Sequence, residues 1–199
     1  MVSVSEALER IKLITNELAV IEMDHWKATG FVLAEDCISS CAFPPFNQSA
    51  MDGYAVNHID NELEFIVQAE IKAGDSAENM SLELGKACRI FTGSMLPFGT
   101  TAVIKQEDVE TDGALIRVVK PFKMGDNMRA LGEQIMEGDV AVKKYQVLNP
   151  GAIGFLSTLG FQKIKVFKKP KIAVIATGNE LVPVGGVLKK GQIFESNTN

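Results

Sequence analysis

A chain of 199 residues that is 46% hydrophobic and 23% charged has the composition of a folded protein, which excludes wholesale disorder. Its formal net charge of −5 excludes the basic footprint of a nucleic-acid or anionic-membrane binder, so any phosphate-bearing ligand must be held by local groups. No stretch reaches the ~18 apolar residues of a membrane span. Residues 1–16 are interrupted by Glu6, Glu9, Arg10 and Lys12, unlike a signal peptide, and a cytoplasmic protein is expected. Cys37, Cys41 and Cys88 form no C-x-x-C pair and point to neither a disulfide framework nor a zinc site. His25 and His58 have no acids or nucleophiles patterned around them and are expected at the surface or in a single hydrogen bond.

In chain order, Ser3 and Glu6 read as a capping box that opens a helix. Ala7, Ile11, Ile14, Leu18 and Ile21 then recur in steps of four and three, so the stripe predicts several helical turns, with Leu8 widening it. That face can pack on its own sheet or on a second subunit. A second, shorter helical or mixed segment is expected over Trp26–Asp36. Pro44-Pro45 then forces an extended entry into Asn47-Gln48-Ser49-Ala50-Met51-Asp52-Gly53, where glycine permits a positive φ and a tight change of direction. Tyr54 and Val56 start an alternating pattern, so Asp52 is held at the entry to a sheet, beside Asn47 and Ser49. Asp-Gly turns are common, and Asp52 alone could be one of them.

From Tyr54 to Val119 the runs Phe65–Ile71, Gly85–Phe91 and Thr101–Ile104 read as short strands, and Asp112-Gly113 as a hairpin turn into Ala114–Val119. A compact antiparallel β unit is expected. Val140–Val142 resumes apolar character, and Pro150 opens a short buried helix that ends near Gly160. Lys163–Lys168 alternates as a half-exposed strand. Ile172–Ala176 is a continuous apolar run, the mark of a strand buried on both faces of a parallel sheet, with Thr177–Glu180 at its C-terminal end. Residues 195–199 supply helix-capping side chains with no helix after them. The stretch 168–199 therefore reads as the opening of a further α/β domain.

Five stretches carry a resemblance. Pro44–Val56 with its Ser-Ala-Met-Asp-Gly-Tyr string, Arg89–Pro97, Ala102–Glu107, Gly125–Glu133, and Ala176–Leu181 with Gly191–Asn197 are similar, in order and spacing, to the motifs of the MoeA family. These are the molybdopterin molybdenumtransferases, which include the E domain of gephyrin. The resemblance runs from the first helix to the end and implies an α+β fold. A helical and β dimerisation region of 1–44 and 137–167 would carry an inserted antiparallel β unit, 45–136, and 168–199 would begin a truncated molybdopterin-binding-like α/β domain. It also implies an elongated homodimer, with the first helix packed on a second subunit, and molybdopterin adenylyltransferase as a further partner.

The family reaction inserts molybdenum from molybdate into adenylylated molybdopterin with release of AMP, assisted by Mg2+. Matched residue by residue, the catalytic positions of the resemblance fall on Asp52, Thr92 and Glu180. Substrate-binding positions fall on Asn47, Ser49, Gly93, Ser94, Arg129 and Gln134. Thr92-Gly93-Ser94 offers hydroxyls and turn amides of the kind that form an anion nest. Without the resemblance, Thr92-Gly93 reads equally as a turn, Glu180 as a helix-start acid and Glu107-Asp108 as a solvated strand end. Two positions depart from the family pattern. Gln134 stands where the family usually has aspartate, and Asn179 stands where it usually has aspartate before the glutamate. The metal ligands are not identified by sequence. As a chain of this extent it would be a fragment with little or no turnover. The competing readings are a non-catalytic dimerisation or scaffold module of gephyrin type and an unrelated β-rich hydrolase using Asp52 with Glu107.

Overall fold

The computed structural model describes residues 2–59 and 62–198. They divide into a larger unit, 22–166, and a second made of 1–21 with 167–199. Asn199, the last of the capping residues expected at 195–199, lies outside the described residues.

In the second unit, helix α1 (Val4–Ile14) begins as the sequence predicts. Ser3 Oγ accepts from the Glu6 N–H at 3.2 Å, and the Glu6 carboxylate accepts from the Ser3 N–H at 2.9 Å, so both halves of the capping box form. The helix is shorter than its apolar stripe. It stops at Ile14 with Thr15 as its cap, and Ile21 instead lies in strand β1 (Val20–Asp24). Thr15-Asn16 are weak helix formers, and the β-branched Val20-Ile21 pair suits a strand. No residue of α1 is buried; Leu8 and Ile11 are about half exposed and Ile14 is 76% exposed.

The larger unit continues with a single 3-10 turn, His25–Lys27, in place of the longer helical segment expected to Asp36. Gly30 at φ 78° breaks the helix there, and Val32 and Leu33 run extended, bridged to Val147 and Val166. Strands β2 (Cys37–Ile38), β3 (Gln48–Ser49), β4 (Gly53–Val56), β5 (Glu64–Ile71), β6 (Lys86–Ile90), β7 (Ala102–Lys105), β8 (Val109–Asp112) and β9 (Leu115–Val118) follow. Then come β10 (Met128–Arg129), β11 (Val140–Val142), α2 (Pro150–Thr158) and β12 (Lys163–Phe167).

Six strands make one sheet in the order β7-β4-β6-β5-β9-β8. It is not purely antiparallel, as the sequence had predicted: β5 and β6 run parallel. A parallel link needs a crossover of a dozen or more residues. Residues 72–85 supply it without a helix, burying Ala77 and Leu82 on the way. Alternation then sends Ala55, Cys88, Ile90 and Val103 to one face, where they pack with Ile71, Ala77, Leu82 and Leu96. Val56, Phe65, Ala87, Ala102, Ile104 and Ile116 fill the other face. Burial on both sides makes β4, β6 and the edge strand β7 the most firmly packed part of the sheet. The hairpin at Gly113 forms, with Asp112 opposite Leu115. The pairs β2–β11, β3–β10 and β1–β12 complete the strands of this region.

Helix α2 is capped by Asn149, whose Oδ1 accepts from the Ala152 N–H at 2.8 Å, with Pro150 in the first turn where its missing N–H costs nothing. Asn149→Ala is expected to lower stability by about 1 kcal/mol in urea unfolding, with no change in unfolding slope. His25 makes two contacts and not one: Nε2 lies 2.7 Å from Ser157 Oγ, and Nδ1 lies 3.2 Å from the Gln162 carbonyl.

In the second unit the strand expected over Ile172–Ala176 is not formed. Ile172 and Ile175 are 78% and 81% exposed. A strand buried on both faces needs sheet neighbours and covering helices, and the described residues supply neither. The short strands that do form are β13 (Leu181–Val182) and β14 (Ile193–Phe194), paired parallel. Among the described residues no helix is long and apolar enough to cross a membrane.

Candidate active site

Asp52 immediately precedes β4, where the chain turns into the sheet. The sequence explains its glycine neighbour by positive φ, but the structure gives a different reason. A Cβ on Gly53 would lie 1.9 Å from the Ile104 carbonyl oxygen, so the residue is glycine because β7 passes against its α-carbon. That contact packs the Asp52 corner directly against the backbone of β7.

The Asp52 side chain is exposed, and one of its oxygens is engaged. Oδ1 accepts from both the Thr92 N–H and the Thr92 hydroxyl, each at 2.8 Å. These two donors, the backbone one first, hold its pKa below the usual carboxylate range, and the Arg89 charge adds to the effect. Oδ2 takes no hydrogen bond among the described residues. The result is an ionised carboxylate with one oxygen locked and the other open. Thr92→Val should raise the Asp52 titration midpoint, followed by NMR of the carboxyl carbon. A depressed folded pKa stabilises the fold above the pKa of an unfolded aspartate, and that stability is lost as pH falls through the folded value. The variant should therefore lose less stability on acidification than the natural chain.

Thr92 belongs to a turn in which the Ser94 N–H donates to the Phe91 carbonyl at 3.0 Å, with Gly93 at φ 83°. The sequence suggested that the amides of 92–94 form an anion nest. They do not: Thr92 N–H goes to Asp52, Gly93 N–H to the Ser49 carbonyl at 2.8 Å, and Ser94 N–H to Phe91. Ser49 and Ser94 are themselves buried. Ser49 Oγ donates to the Met51 carbonyl at 2.6 Å, while Ser94 Oγ has no partner among the described residues. Both serines thus support the loop and present no hydroxyl at the surface, contrary to the expectation that they contact substrate.

Three other residues of the expected set lie in or beside the β3–β10 pair. Strand β10 pairs with β3, placing Arg129 opposite Gln48 and Met128 opposite Ser49. Asn47 Oδ1 accepts from the Leu131 N–H at 2.8 Å, and the Gln134 N–H donates to the Phe43 carbonyl at 3.0 Å. The side chains of Asn47, Arg129 and Gln134 are exposed. Glu180 belongs to the second unit. Its carboxylate lies over Gly178, where a Cβ would come within 2.4 Å of Oε1, and its carbonyl accepts from the Ile193 N–H at 2.8 Å. Glu107 is exposed, and Asp108 is paired with Lys120.

The sequence model described as the MoeA N-terminal region (domain I and II) matches residues 2–160. The chain belongs to the MoeA family. It is 37% identical, over 98% of its length, to the molybdopterin molybdenumtransferase of Staphylococcus aureus strain Mu50, and 36% identical to that of Staphylococcus epidermidis strain ATCC 12228. Each match covers 48% of the relative, so this MoeA-family chain spans about half the length of the curated relatives it matches. Among solved structures, a molybdopterin biosynthesis moeA protein from Pyrococcus horikoshii OT3 superposes with a TM-score of 0.81 at 34% identity. That superposition covers all of this chain and 55% of that one.

The MoeA-family resemblance left the metal ligands open. No group of three His, Cys, Asp or Glu side chains that could cage a metal occurs among the described residues. A single ionised carboxylate with one open oxygen still fits Mg2+, which keeps most of its waters and takes one or two carboxylates plus substrate phosphates. Cys37 and Cys88 do not compete for such a role, since burial pushes both thiols up to about 11. Sequence reasoning did not single out Arg89 and Gln106, although both lie inside quoted motifs. The available signal was a cation set between two buried apolar residues of a strand, Cys88 and Ile90.

Proposed function

We propose that this chain is the N-terminal part of a molybdopterin molybdenumtransferase that acts in molybdenum cofactor biosynthesis. Its reaction would insert molybdenum from molybdate into adenylylated molybdopterin and release AMP. The observation that carries this reading is the Asp52–Thr92 pair, an ionised carboxylate held on a rigid sheet with one oxygen free, in a chain of this family.

The chemistry favours a ligand role for Asp52 over a proton-accepting one. A carboxylate whose pKa is held down by two donors is a weak base, yet it stays charged and fixed, which suits an anchor for a hydrated cation. Mg2+ bound there would neutralise phosphate charge as the phosphoanhydride is cleaved and AMP leaves. Thr92 keeps Asp52 in one orientation through two donors. Arg129, with Asn47 and Gln134 on the same loop system, offers exposed donors for a phosphate or a pterin edge, and Gly93 exposes backbone at the turn. Glu180 is the second carboxylate of the proposed set. Gln134, which lacks the charge that the family usually carries there, would orient substrate by hydrogen bonding.

The proposed division is a dimerisation region of 1–44 and 137–167, a β unit of 45–136 and the start of a molybdopterin-binding-like α/β domain at 168–199. The exposed apolar stripe of α1 supports a homodimer, and the family resemblance is the ground for a cytoplasmic site of action with molybdopterin adenylyltransferase as substrate donor.

The test is complementation. A full-length gene carrying this sequence should restore molybdoenzyme activity to cells that lack their own molybdenumtransferase. Failure to restore it, with the protein expressed and folded, would contradict the reading and favour a non-catalytic scaffold.

A further inference from the structure

Arg89 is a partly buried cation of β6, and the two hydrogen bonds of its guanidinium converge on the Asp52 corner. Its Nη1 donates to the Gly53 carbonyl at 2.8 Å, and its Nη2 donates to Gln106 Oε1 at 2.7 Å. The Gln106 backbone N–H in turn donates to the Asp52 carbonyl at 3.1 Å. Two successive carbonyls, those of Asp52 and Gly53, are thereby pinned, one through Gln106 and one directly.

The guanidinium is itself held. Its carbon lies 5.1 Å from the centroid of the Tyr54 ring and 4.8 Å from that of Phe91, and Tyr54 sits directly opposite Arg89 in the β4–β6 register. Stacked cations of this kind are attracted to the ring faces and lose side-chain freedom. A planar fork with fixed donor directions can bridge two acceptors while lying between two rings, and a lysine ammonium cannot. Strand β6 ends at Ile90, and the turn bearing Thr92 follows at once, so the same residue ties together the two segments whose side chains meet at Asp52 Oδ1.

We infer that Arg89 is a positioning residue: it fixes the main chain through Asp52 and Gly53 against β6 and the turn after β7, and so sets where the open oxygen of Asp52 points. The inference rests on the role proposed above for Asp52. Arg89 touches no substrate in this role; it acts through the backbone.

The test uses Arg89→Lys, which keeps the charge and the apolar stem, and Arg89→Met, which keeps only the stem. In this chain, hydrogen exchange of the Thr92 amide, the donor to Asp52, should quicken about tenfold or more in both variants, while the amides of β5 stay as they are. In the full-length protein, both variants should lower kcat by about tenfold to a hundredfold with KM unchanged, because misplacement at the reacting centre is felt in the transition state. Unchanged Thr92 exchange in both variants would overturn the inference. So would recovery of both readouts by lysine, which would make Arg89 a charge and not a brace. Should Arg89→Met quicken exchange throughout the sheet, the lysine variant decides alone. If the unaltered full-length protein shows no turnover, the proposed function falls, and the Thr92 amide still decides the positioning role.

Discussion

Asp52→Asn in the full-length protein is expected to lower turnover about a hundredfold or more while leaving the fold intact. Asparagine has nearly the same shape, and its Oδ1 can still accept from the Thr92 N–H and hydroxyl that now hold the aspartate at 2.8 Å. What it loses is the charge on the open oxygen, the feature on which the proposed cation-anchoring role depends. The variant should melt at a temperature close to that of the natural protein and form the same oligomer. AMP release measured at saturating substrate reads the effect, and turnover close to that of the unaltered protein would remove Asp52 from the account.

Gly53→Ala is expected to cost about 3 kcal/mol of stability, at the upper end of what a single added methyl group does in a packed interior. The new Cβ would meet the Ile104 carbonyl oxygen at 1.9 Å, its carbon at 2.8 Å and the Lys105 α-carbon at 3.0 Å. All three are backbone atoms of β7, so no side chain can swing aside. Relief requires β4 and β7 to separate where Gly53 pairs with Lys105 and Tyr54 with Ile104, inside the part of the sheet that is buried on both faces. The urea midpoint should fall, and the Asp52–Thr92 contact should loosen with it. A midpoint equal to that of the natural chain would mean that the strands adjust at little cost and that the glycine has some other reason.

The local signals were legible wherever one residue type has one physical use. Ser3 with Glu6 gave a helix start, Pro150 gave another, and the β-rich run Phe65–Ile71 gave a strand at nearly its observed bounds. Asp52 could be singled out only because its Ser-Ala-Met-Asp-Gly-Tyr string resembles a family motif, since an Asp-Gly turn by itself is common. Non-local facts were not legible. The parallel register of β5 with β6 depends on where the crossover of 72–85 lands, and such crossovers are usually helical, so an irregular one leaves no pattern. The reason for Gly53 lies on a strand fifty residues further along, at Ile104. The commitment of the 92–94 amides to Asp52, Ser49 and Phe91 likewise appears only when those partners are placed. Ile172–Ala176 reads as a buried strand by composition, yet burial is a property of neighbours, and the described residues provide none.

The central claim is that this chain supplies the Asp52-bearing part of a site that releases AMP from adenylylated molybdopterin. The most direct measurement is AMP release by the purified full-length protein given that substrate, molybdate and Mg2+, alongside the same protein without molybdate. Molybdate-dependent AMP release, with molybdenum retained in the product, is the expected result. Tight binding of the substrate with no AMP released, by a folded and dimeric protein, would contradict it and leave a binding or scaffold role in its place.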